Sequence, residues 1–362
     1  MKHIYLDHCA SAFPKAPGVG EAMERCIRQE AGAGRELAEG VGERLLSLTK
    51  APAGTRIWFT SGGLREICLL LWGLLRPGDR VLTSPMEEGA VLAALERSKS
   101  RGVEVELLPC TSRGELILDD LETRLTPNTR AIYLTHASPV SGTVFPIDRV
   151  GRLCREWGIF FLTDVAQTLG VLPVDMAGWG IDGLIFPGYQ GLLGPQGVGG
   201  LMMTEELAWA LEAWSLDLLH PRAGEENLPG IAGLGAALDY LAQGGEAFWE
   251  KTRRLSRHLW YRLKELDGEG LRVLGSDDPF NRVGVVSVDL SPMDHETMAA
   301  CLEQEYGIRA GWGLHGAPLA CKTLGVFPQG TVRFSVSPFT TFGELDYLEG
   351  ALEELLWAAR NQ

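Results

Sequence analysis

Three segments of the 362-residue chain contain residue types that could bind a charged ligand. Residues 59–67, FTSGGLREI, are typical of a strand, a glycine turn and a helix start, where free N–H groups can hold an anion such as phosphate. Asp164 ends an apolar run, and a buried carboxylate there needs a cationic partner such as a protonated ring nitrogen. Arg333 lies in a short apolar run, where its guanidinium could bind a carboxylate through two hydrogen bonds.

Each of these signals also has an ordinary structural explanation. The glycines could serve only a tight turn, Asp164 could cap a helix, and Arg333 could form a surface salt bridge. Residues 59–67 match neither a Walker loop nor the GxGxxG pattern of dinucleotide-binding folds. None of the three segments is specific by itself.

The elements that would position these residues alternate between short apolar runs and helical stretches. Strands are predicted at 56–60, 80–85, 103–109, 130–136, 159–165, 183–187 and 198–204. Helices are predicted between them, for example at 65–75, 89–98 and 147–157, from apolar residues spaced three and four apart. This alternation predicts an α/β fold with a seven-stranded, mostly parallel sheet, covered on both faces. Ligands of such sheets bind beyond the carboxyl ends of the strands.

The pattern changes after residue 239, where a smaller α/β domain is predicted. Its elements are a long helix at 246–266, a strand within 282–290, a helix at 294–306, a strand within 331–337 and a closing helix at 342–359. We expect a large domain over residues 16–245. The small domain would comprise residues 246–362 together with residues 1–15.

Composition excludes several classes of function. The net charge of −14 disfavours nucleic-acid binding, which needs clustered Lys and Arg. No apolar run approaches the roughly 18 residues that a membrane span needs, and the N-terminus lacks the apolar core of a signal peptide. The 7 cysteines include no CxxC pair that would indicate a zinc ribbon or a thioredoxin-like site. We therefore expect a cytoplasmic protein that binds neither nucleic acid nor membranes.

Taken in order, nine segments resemble the cysteine desulfurase branch of the class V aminotransferases. They are YLDHCASAFP (5–14), FTSGGLREI (59–67), SPMEEGAVL (84–92), THASPVSGT (135–143), DVAQ (164–167), FPGYQGLLGPQGVGG (186–200), NLPGIAGLGAAL (227–238), GLHGAPLACKTLG (313–325) and GTVRFS (330–335). Proteins of this branch bind pyridoxal phosphate (PLP) in fold type I. The resemblance implies that fold and a dimer with its sites near the subunit interface.

Some functional positions of the family are kept. Asp164 matches the Asp that pairs with the pyridinium nitrogen, and Gln167 matches the residue near the ring hydroxyl. Arg333 matches the Arg that binds the substrate carboxylate. The resemblance also places a vestige of the phosphate loop at Ser61, Gly62 and Gly63.

Two positions that the chemistry depends on are replaced. Gln190 stands at the Schiff-base lysine, and a carboxamide cannot form a Schiff base with an aldehyde. Gly316 stands at the cysteine that carries the persulfide. Other pocket positions differ as well: Glu88 for a stacking His, Leu64 and Val198 for Thr, Pro139 for Asn, and Pro187 and Tyr189 for polar residues.

These replacements favour a pseudoenzyme that acts as a scaffold, regulator or partner subunit. The family resemblance implies a role in sulfur metabolism. It would be a homodimer or pair with an active paralogue. PLP, the family cofactor, would not be bound covalently or would be absent, and a small-molecule ligand is possible. An engineered trap is a poorer explanation, because several phosphate ligands are replaced together with the lysine.

Two alternatives stay open. The cleft could belong to an active enzyme, PLP-dependent or repurposed, that works without a Schiff-base lysine. Its acid–base groups would come from His136, Glu88, Tyr189 and His315. A minor alternative is a metal or iron–sulfur site around Cys9, Cys68 and Cys321. Buried cysteines are more often ordinary small hydrophobic residues, so no metal ligand is assigned.

Overall fold

A seven-stranded sheet forms the centre of the large part of the molecule. The computed structural model describes residues 3–28, 34–211, 226–290 and 292–361. After β1 (Ile4–Tyr5), which lies outside this sheet, the strands are β2 (Arg56–Thr60), β3 (Arg80–Thr83), β4 (Glu104–Leu107), β5 (Thr129–Thr135), β6 (Phe160–Asp164), β7 (Gly183–Pro187) and β8 (Gly199–Met203). Their order is β2-β8-β7-β6-β5-β3-β4. Only β8 runs antiparallel to its neighbours, which confirms the prediction of a mostly parallel sheet.

Helices cover both faces of this sheet, so its central strands are buried. They are α1 (Val19–Arg28), α2 (Gly34–Leu48), α3 (Leu64–Leu74), α4 (Gly89–Lys99), α5 (Leu121–Arg124), α6 (Ile147–Trp157) and α7 (Leu228–Glu265). On one face Leu70 of α3 packs in a core with Tyr133 of β5. On the other face Leu45 of α2 and Val150 of α6 pack in a core with Phe161 of β6. Burial on both sides explains why these strands are continuously apolar.

The last third of the chain builds a four-stranded antiparallel sheet. Its order is β12-β13-β10-β9, with β9 (Arg272–Val273), β10 (Val285–Asp289), β12 (Gly311–Gly313) and β13 (Thr331–Ser335). The remaining elements are α8 (His295–Tyr306), β11 (Ile308–Arg309), α9 (Pro318–Thr323) and α10 (Phe342–Arg360). The long helix predicted from residue 246 is the second half of α7, which bends at Gly245, where φ is +51°.

The N-terminal residues pack with this last third. Strand β1 pairs in parallel with β11, and Ile4 and Leu6 share a hydrophobic core with Leu259 of α7 and Leu352 of α10. The chain therefore crosses between the two parts near residue 10 and again near Gly245. The proposed domain limits at residues 15 and 245 stay a prediction. In the described ranges, none of the helices combines the length and apolar character of a membrane span.

A candidate active-site cleft at the carboxyl ends of the strands

A cavity of about 460 Å³ opens where β5, β6 and β7 end, and its volume lies within the usual range for small-molecule sites. It is lined by Cys9, Ala10, Gly62, Gly63, Glu88, Ala90, Thr135, Pro139, Asp164, Ala166, Gln167, Ile185, Pro187, Tyr189, Gln190, His315 and Arg333. Distant segments meet here because the carboxyl ends of parallel strands share one edge of the sheet. The cleft therefore brings together most of the candidate residues that the sequence indicated.

Asp164 lies at the end of β6 and is only 8% exposed. Its Oδ1 accepts a hydrogen bond from the N–H of Ala166 at 2.7 Å. Among the described residues, no cation pairs with this carboxylate, and its Oδ2 has no hydrogen-bond partner. Burial, with smaller contributions from Glu88 and Glu66, raises the pKa of Asp164 to about 7. This carboxylate is therefore available to a cationic ligand.

Two carboxamides converge on the backbone oxygen of Cys9. The Nε2 of Gln190 donates to this oxygen at 2.5 Å, and the Nε2 of Gln167 donates at 3.5 Å. The Oε1 of Gln190 is buried and has no partner among the described residues. Gln190 thus holds the N-terminal segment and leaves an acceptor oxygen without a donor, which a ligand or water would satisfy.

The glycine turn before α3 already contains a carboxylate. Gly62 and Gly63 have φ of +81° and +108°, which glycine adopts without strain. Glu66 in the first turn of α3 is fully buried, and its Oε1 accepts from the N–H of Gly62 at 3.0 Å. Burial raises the pKa of Glu66. A carboxylate therefore uses part of the anion cradle that the sequence indicated.

Ser61 is separated from these two glycines. It is exposed and lines a second cavity of about 180 Å³ together with Arg65, Glu66 and Val198. The three residues assigned to a vestigial phosphate loop therefore divide between two cavities. The side chain of Leu64 lies outside what the structure describes.

The loop that carries Gly316 is fixed to the start of α4. The N–H of Gly89 donates to the backbone oxygen of Gly316 at 2.6 Å. A Cβ at Gly316 would meet nothing nearer than Glu88 at 3.9 Å, although its φ of +71° disfavours other residues. Glu88 is exposed to the cleft, and the cleft walls raise its pKa by partial desolvation. Gly316 thus lies next to Glu88, which lines the cleft.

Arg333 lines the cleft, but its guanidinium is already engaged. Its Nη2 forms a salt bridge with Oδ1 of Asp7 at 3.0 Å, and its Nη1 donates to the backbone oxygen of Pro139 at 3.0 Å. Both charged side chains are largely buried, with 7% of the Arg333 side chain and 18% of the Asp7 side chain exposed. The positive charge of Arg333 is therefore balanced within the protein, and its Nε remains without a partner.

The acid–base candidates lie in different surroundings. The Nε2 of His315 shares a hydrogen bond with Oγ1 of Thr331 at 2.7 Å, and burial lowers its pKa to about 3. The phenol of Tyr189 lines the cleft, and burial raises its pKa. The structure does not bring His136 to the cleft. Its ring bonds Thr168 and faces another cavity, with a pKa lowered by burial to about 3.

Sequence reasoning missed three ionisable residues around the cleft. Glu66 had a usable signal, since a Glu in the first helical turn can reach back to a free N–H of the turn before the helix. Glu87 is fully buried, with a pKa raised by burial to about 8, and accepts hydrogen bonds from Ser84 and Thr135. Lys15 donates to the backbone oxygen of Tyr189 at 3.1 Å, and burial lowers its pKa to about 8. No motif marks Glu87 or Lys15.

The three cysteines considered for a metal site belong to separate clusters. Cys9 packs with Val283, Cys321 lies in the core on the α2 and α6 face, and Cys68 packs at the edge of the core under α3. Burial raises the pKa of all three thiols. In the described ranges, no group of three or more His, Cys, Asp or Glu side chains is placed to hold a metal ion.

The sequence and the fold are both similar to those of known proteins. Residues 21–348 match the aminotransferase class-V family. A probable cysteine desulfurase from Methanothermobacter thermautotrophicus is 30% identical, over 98% of this chain and 94% of that protein. A cysteine desulfurase from Cereibacter sphaeroides is 31% identical, over 96% of this chain and 94% of that protein.

Solved structures extend the similarity to the whole fold. The apo structure of a cysteine desulfurase from Thermococcus onnurineus superposes with a TM-score of 0.87 at 25% identity, over 98% of this chain and 95% of that one. The cysteine desulfurase CsdA from Escherichia coli, with an S-sulfonic acid, gives a TM-score of 0.86 at 27% identity with the same coverage. These similarities span both parts of the molecule.

Proposed function

Because this chain belongs to the class V aminotransferase family, whose cofactor is PLP, we propose that it is a cysteine desulfurase relative without PLP chemistry. It would act through binding, as a scaffold, regulator or partner subunit. The observation that carries this proposal is Gln190. Its carboxamide donates to the backbone oxygen of Cys9, and it has no nucleophilic amine for an aldehyde.

The fit of PLP to the cleft differs between its two ends. A protonated ring nitrogen suits the unpaired carboxylate of Asp164. A phosphate dianion does not suit the turn before α3, where Glu66 places a carboxylate on the N–H of Gly62. A phosphate bound at this turn would be repelled by the carboxylate of Glu66. The desolvated surroundings of Glu66 strengthen that repulsion. The residues present therefore fit a cation and do not fit the intact cofactor.

The sulfur-transfer step also lacks its nucleophile. The family cysteine position is Gly316, and the thiol that lines the cleft is Cys9. Burial raises the pKa of Cys9 to about 11, and its Sγ lies 3.5 Å from the backbone oxygen of Pro139. A thiol in this state is a poor nucleophile at neutral pH. This supports loss of desulfurase activity in addition to loss of the covalent cofactor.

The decisive experiment is reductive trapping. The protein is mixed with PLP, treated with borohydride, desalted and weighed as an intact chain, next to the Gln190→Lys variant. We expect no adduct on the wild-type chain and a trapped adduct on the variant, whose new amine faces the same cleft. A wild-type adduct, for example on the depressed-pKa amine of Lys15, would overturn the proposal.

A second candidate function is supported by the ionisable groups of the cleft. Asp164, with its pKa raised to about 7, can exchange a proton near neutral pH, as a general acid or base must. Burial also raises the pKa of Glu88. A repurposed enzyme would then use these carboxylates on a different substrate. Turnover of a small-molecule substrate that is abolished by Asp164→Asn would favour this candidate over a binding protein.

The assembly of this protein and its location in the cell are proposed from what is common among members of its family. Family members commonly act as dimers, so we propose a homodimer or a dimer with an active paralogue, in the cytoplasm. Native mass spectrometry of protein isolated at its natural level tests this assembly. A monomer would contradict both forms of the dimer, and a self-dimer without a desulfurase subunit would contradict the paired form.

A further inference from the structure

Three polar groups that line the cleft are acceptors without donors in the described part of the chain, and the Nε of Arg333 is a buried donor without a partner there. Asp164 has a free Oδ2, Gln190 has a buried Oε1 without a partner, and Glu88 makes no side-chain hydrogen bond at the start of α4, all within the described residues. These groups come from three different segments and line the same cavity. A ligand that satisfies them must bring several N–H groups.

The uncompensated charge of the cleft lining is negative. Its one guanidinium, Arg333, is balanced by the largely buried carboxylate of Asp7. His315 is neutral at physiological pH because burial lowers its pKa to about 3. Asp164 and Glu88 therefore remain as the uncompensated charges of the lining, with Glu66 behind the glycine turn. An anion entering this cleft would be repelled, whereas a cation would be attracted.

The rest of the cavity wall suits a flat organic body. Ile185, Pro187, Pro139 and Ala90 supply apolar surface, and Tyr189 supplies an aromatic ring. A cavity of about 460 Å³ can enclose a ligand with a single ring. A bare metal ion would leave most of this surface uncovered.

From these observations we infer that the cleft binds a small organic cation, an amine or amidine on a compact apolar body, with its N–H groups on Asp164 and Gln190. The inference rests on the proposed function, because a resident PLP would fill the same space. The site has then changed its preference from an anionic cofactor to a cationic ligand, while the family fold is kept.

The test uses three probes of equal shape and different charge. Benzamidine is a planar cation, benzamide is its neutral analogue, and benzoate is its anion. Calorimetric titration of the full-length wild-type chain should show binding of benzamidine, at least about tenfold weaker binding of benzamide, and none of benzoate. Equal affinities for the three probes, or tighter binding of benzoate, would overturn the inference.

A matched pair of variants locates the site. Asp164→Asn should weaken benzamidine binding by about tenfold or more, since it removes the charge that faces the cavity. The control is Asp182→Asn, which alters a half-buried carboxylate just before β7. Burial raises the pKa of Asp182 to about 6, and its Oδ2 accepts from the N–H of Phe161, but it lines a different cavity. Equal loss in both variants would place the cation elsewhere.

The pH dependence gives a further readout. The ionisable groups that face Asp164 are Glu87, Glu88, Glu66, Tyr133 and Tyr189. The negative charges of Glu88 and Glu66 add to burial in raising the pKa of Asp164, whereas Glu87, with a pKa of about 8, and the two phenols, with raised pKa values, stay protonated while Asp164 loses its proton. Benzamidine affinity should therefore rise as pH increases toward the pKa of Asp164, about 7, and level off above it. An affinity that falls over this range would contradict a carboxylate receptor.

Titration with PLP distinguishes failure of this inference from failure of the proposed function. Benzamidine binding without a trapped PLP adduct supports both. A trapped adduct with no benzamidine binding overturns both. If neither probe binds, the proposed function stands and the cation site is overturned.

Discussion

The glycine-rich segment from Gly188 to Gly199, which joins β7 to β8, lies next to the side chains of the cleft. The two regions tolerate substitution very differently. A Cβ at Gly199 would meet the backbone of Phe186 at 2.6 Å and of Gly62 at 2.9 Å, so no larger residue fits. Gly188 and Gly194 are similarly enclosed, with backbone oxygens at 2.9 Å and 2.7 Å. This loop keeps the glycine pattern by which the sequence resembles its family.

The cleft positions have no comparable steric constraint. Gln190 is tied to Cys9 by one hydrogen bond from its carboxamide. A Cβ at Gly316 would meet nothing nearer than Glu88 at 3.9 Å, although its φ of +71° still favours glycine. Such positions can exchange a lysine or a cysteine for another residue without disturbing a strand. We call the enclosed glycines and the buried ion pairs that hold the fold together the frame. The contrast shows how one fold can keep its frame and lose its chemistry. Four substitutions test it.

The largest effect is expected at Arg333, which lines the cleft but belongs to the frame. Arg333→Gln would leave Asp7 largely buried without its cation, and should lower the free energy of unfolding by about 3–5 kcal/mol. Urea denaturation measures this value. The control is Arg152→Gln, which breaks an exposed pair with Asp148 and should cost at most about 0.5 kcal/mol. Similar values for the two variants would place Arg333 with the replaceable cleft residues.

Asp164→Asn should stabilise the protein near neutral pH. The folded-state pKa of about 7 lies above the ordinary 3.8, so the stability associated with this carboxyl is present below pH 4 and lost as pH rises through 7. Asparagine carries no charge. The variant should therefore gain on wild type between pH 4 and 7 by on the order of 3 kcal/mol. Denaturation across this range measures the gain, and a constant difference would show that Asp164 is not desolvated.

Gly199→Ala should destabilise the frame by overpacking, by about 1–3 kcal/mol, because both contacts are with backbone that cannot rotate away. Gly350→Ala in α10 is its control, since a Cβ there meets nothing within 4 Å. That change should be neutral or stabilising by up to about 1 kcal/mol. Thermal and urea denaturation compare the two, and a neutral Gly199→Ala would weaken the contrast between loop and cleft.

The smallest effect is expected at Gln190. Gln190→Ala removes the bond to Cys9 and also an acceptor that has no partner, so about 1 kcal/mol or less should be lost. Gln167→Ala, which removes the longer bond to the same oxygen, is its companion. A loss above about 3 kcal/mol at Gln190 would mean that the carboxamide has become part of the frame.

Most of the fold could be predicted because its signals are local. Apolar runs flanked by glycine and helical spacing identified all seven strands of the large sheet within a few residues. The antiparallel direction of β8 was not predicted, although the segment 188–198 between β7 and β8 contains no crossover helix of the kind that joins parallel neighbours. The pairing of β1 with β11, about 300 residues apart, has no local pattern either.

The sequence by itself determined the family, the sheet and the replacement of the lysine and the cysteine, because these follow from residue identity and spacing. Only the tertiary structure decided the electrostatics of the cleft. It paired Arg333 with Asp7, placed Glu66 on the glycine turn, left Asp164 without a cation and turned His136 away. Charge pairing and burial depend on distances between segments far apart in the chain, which one sequence does not specify.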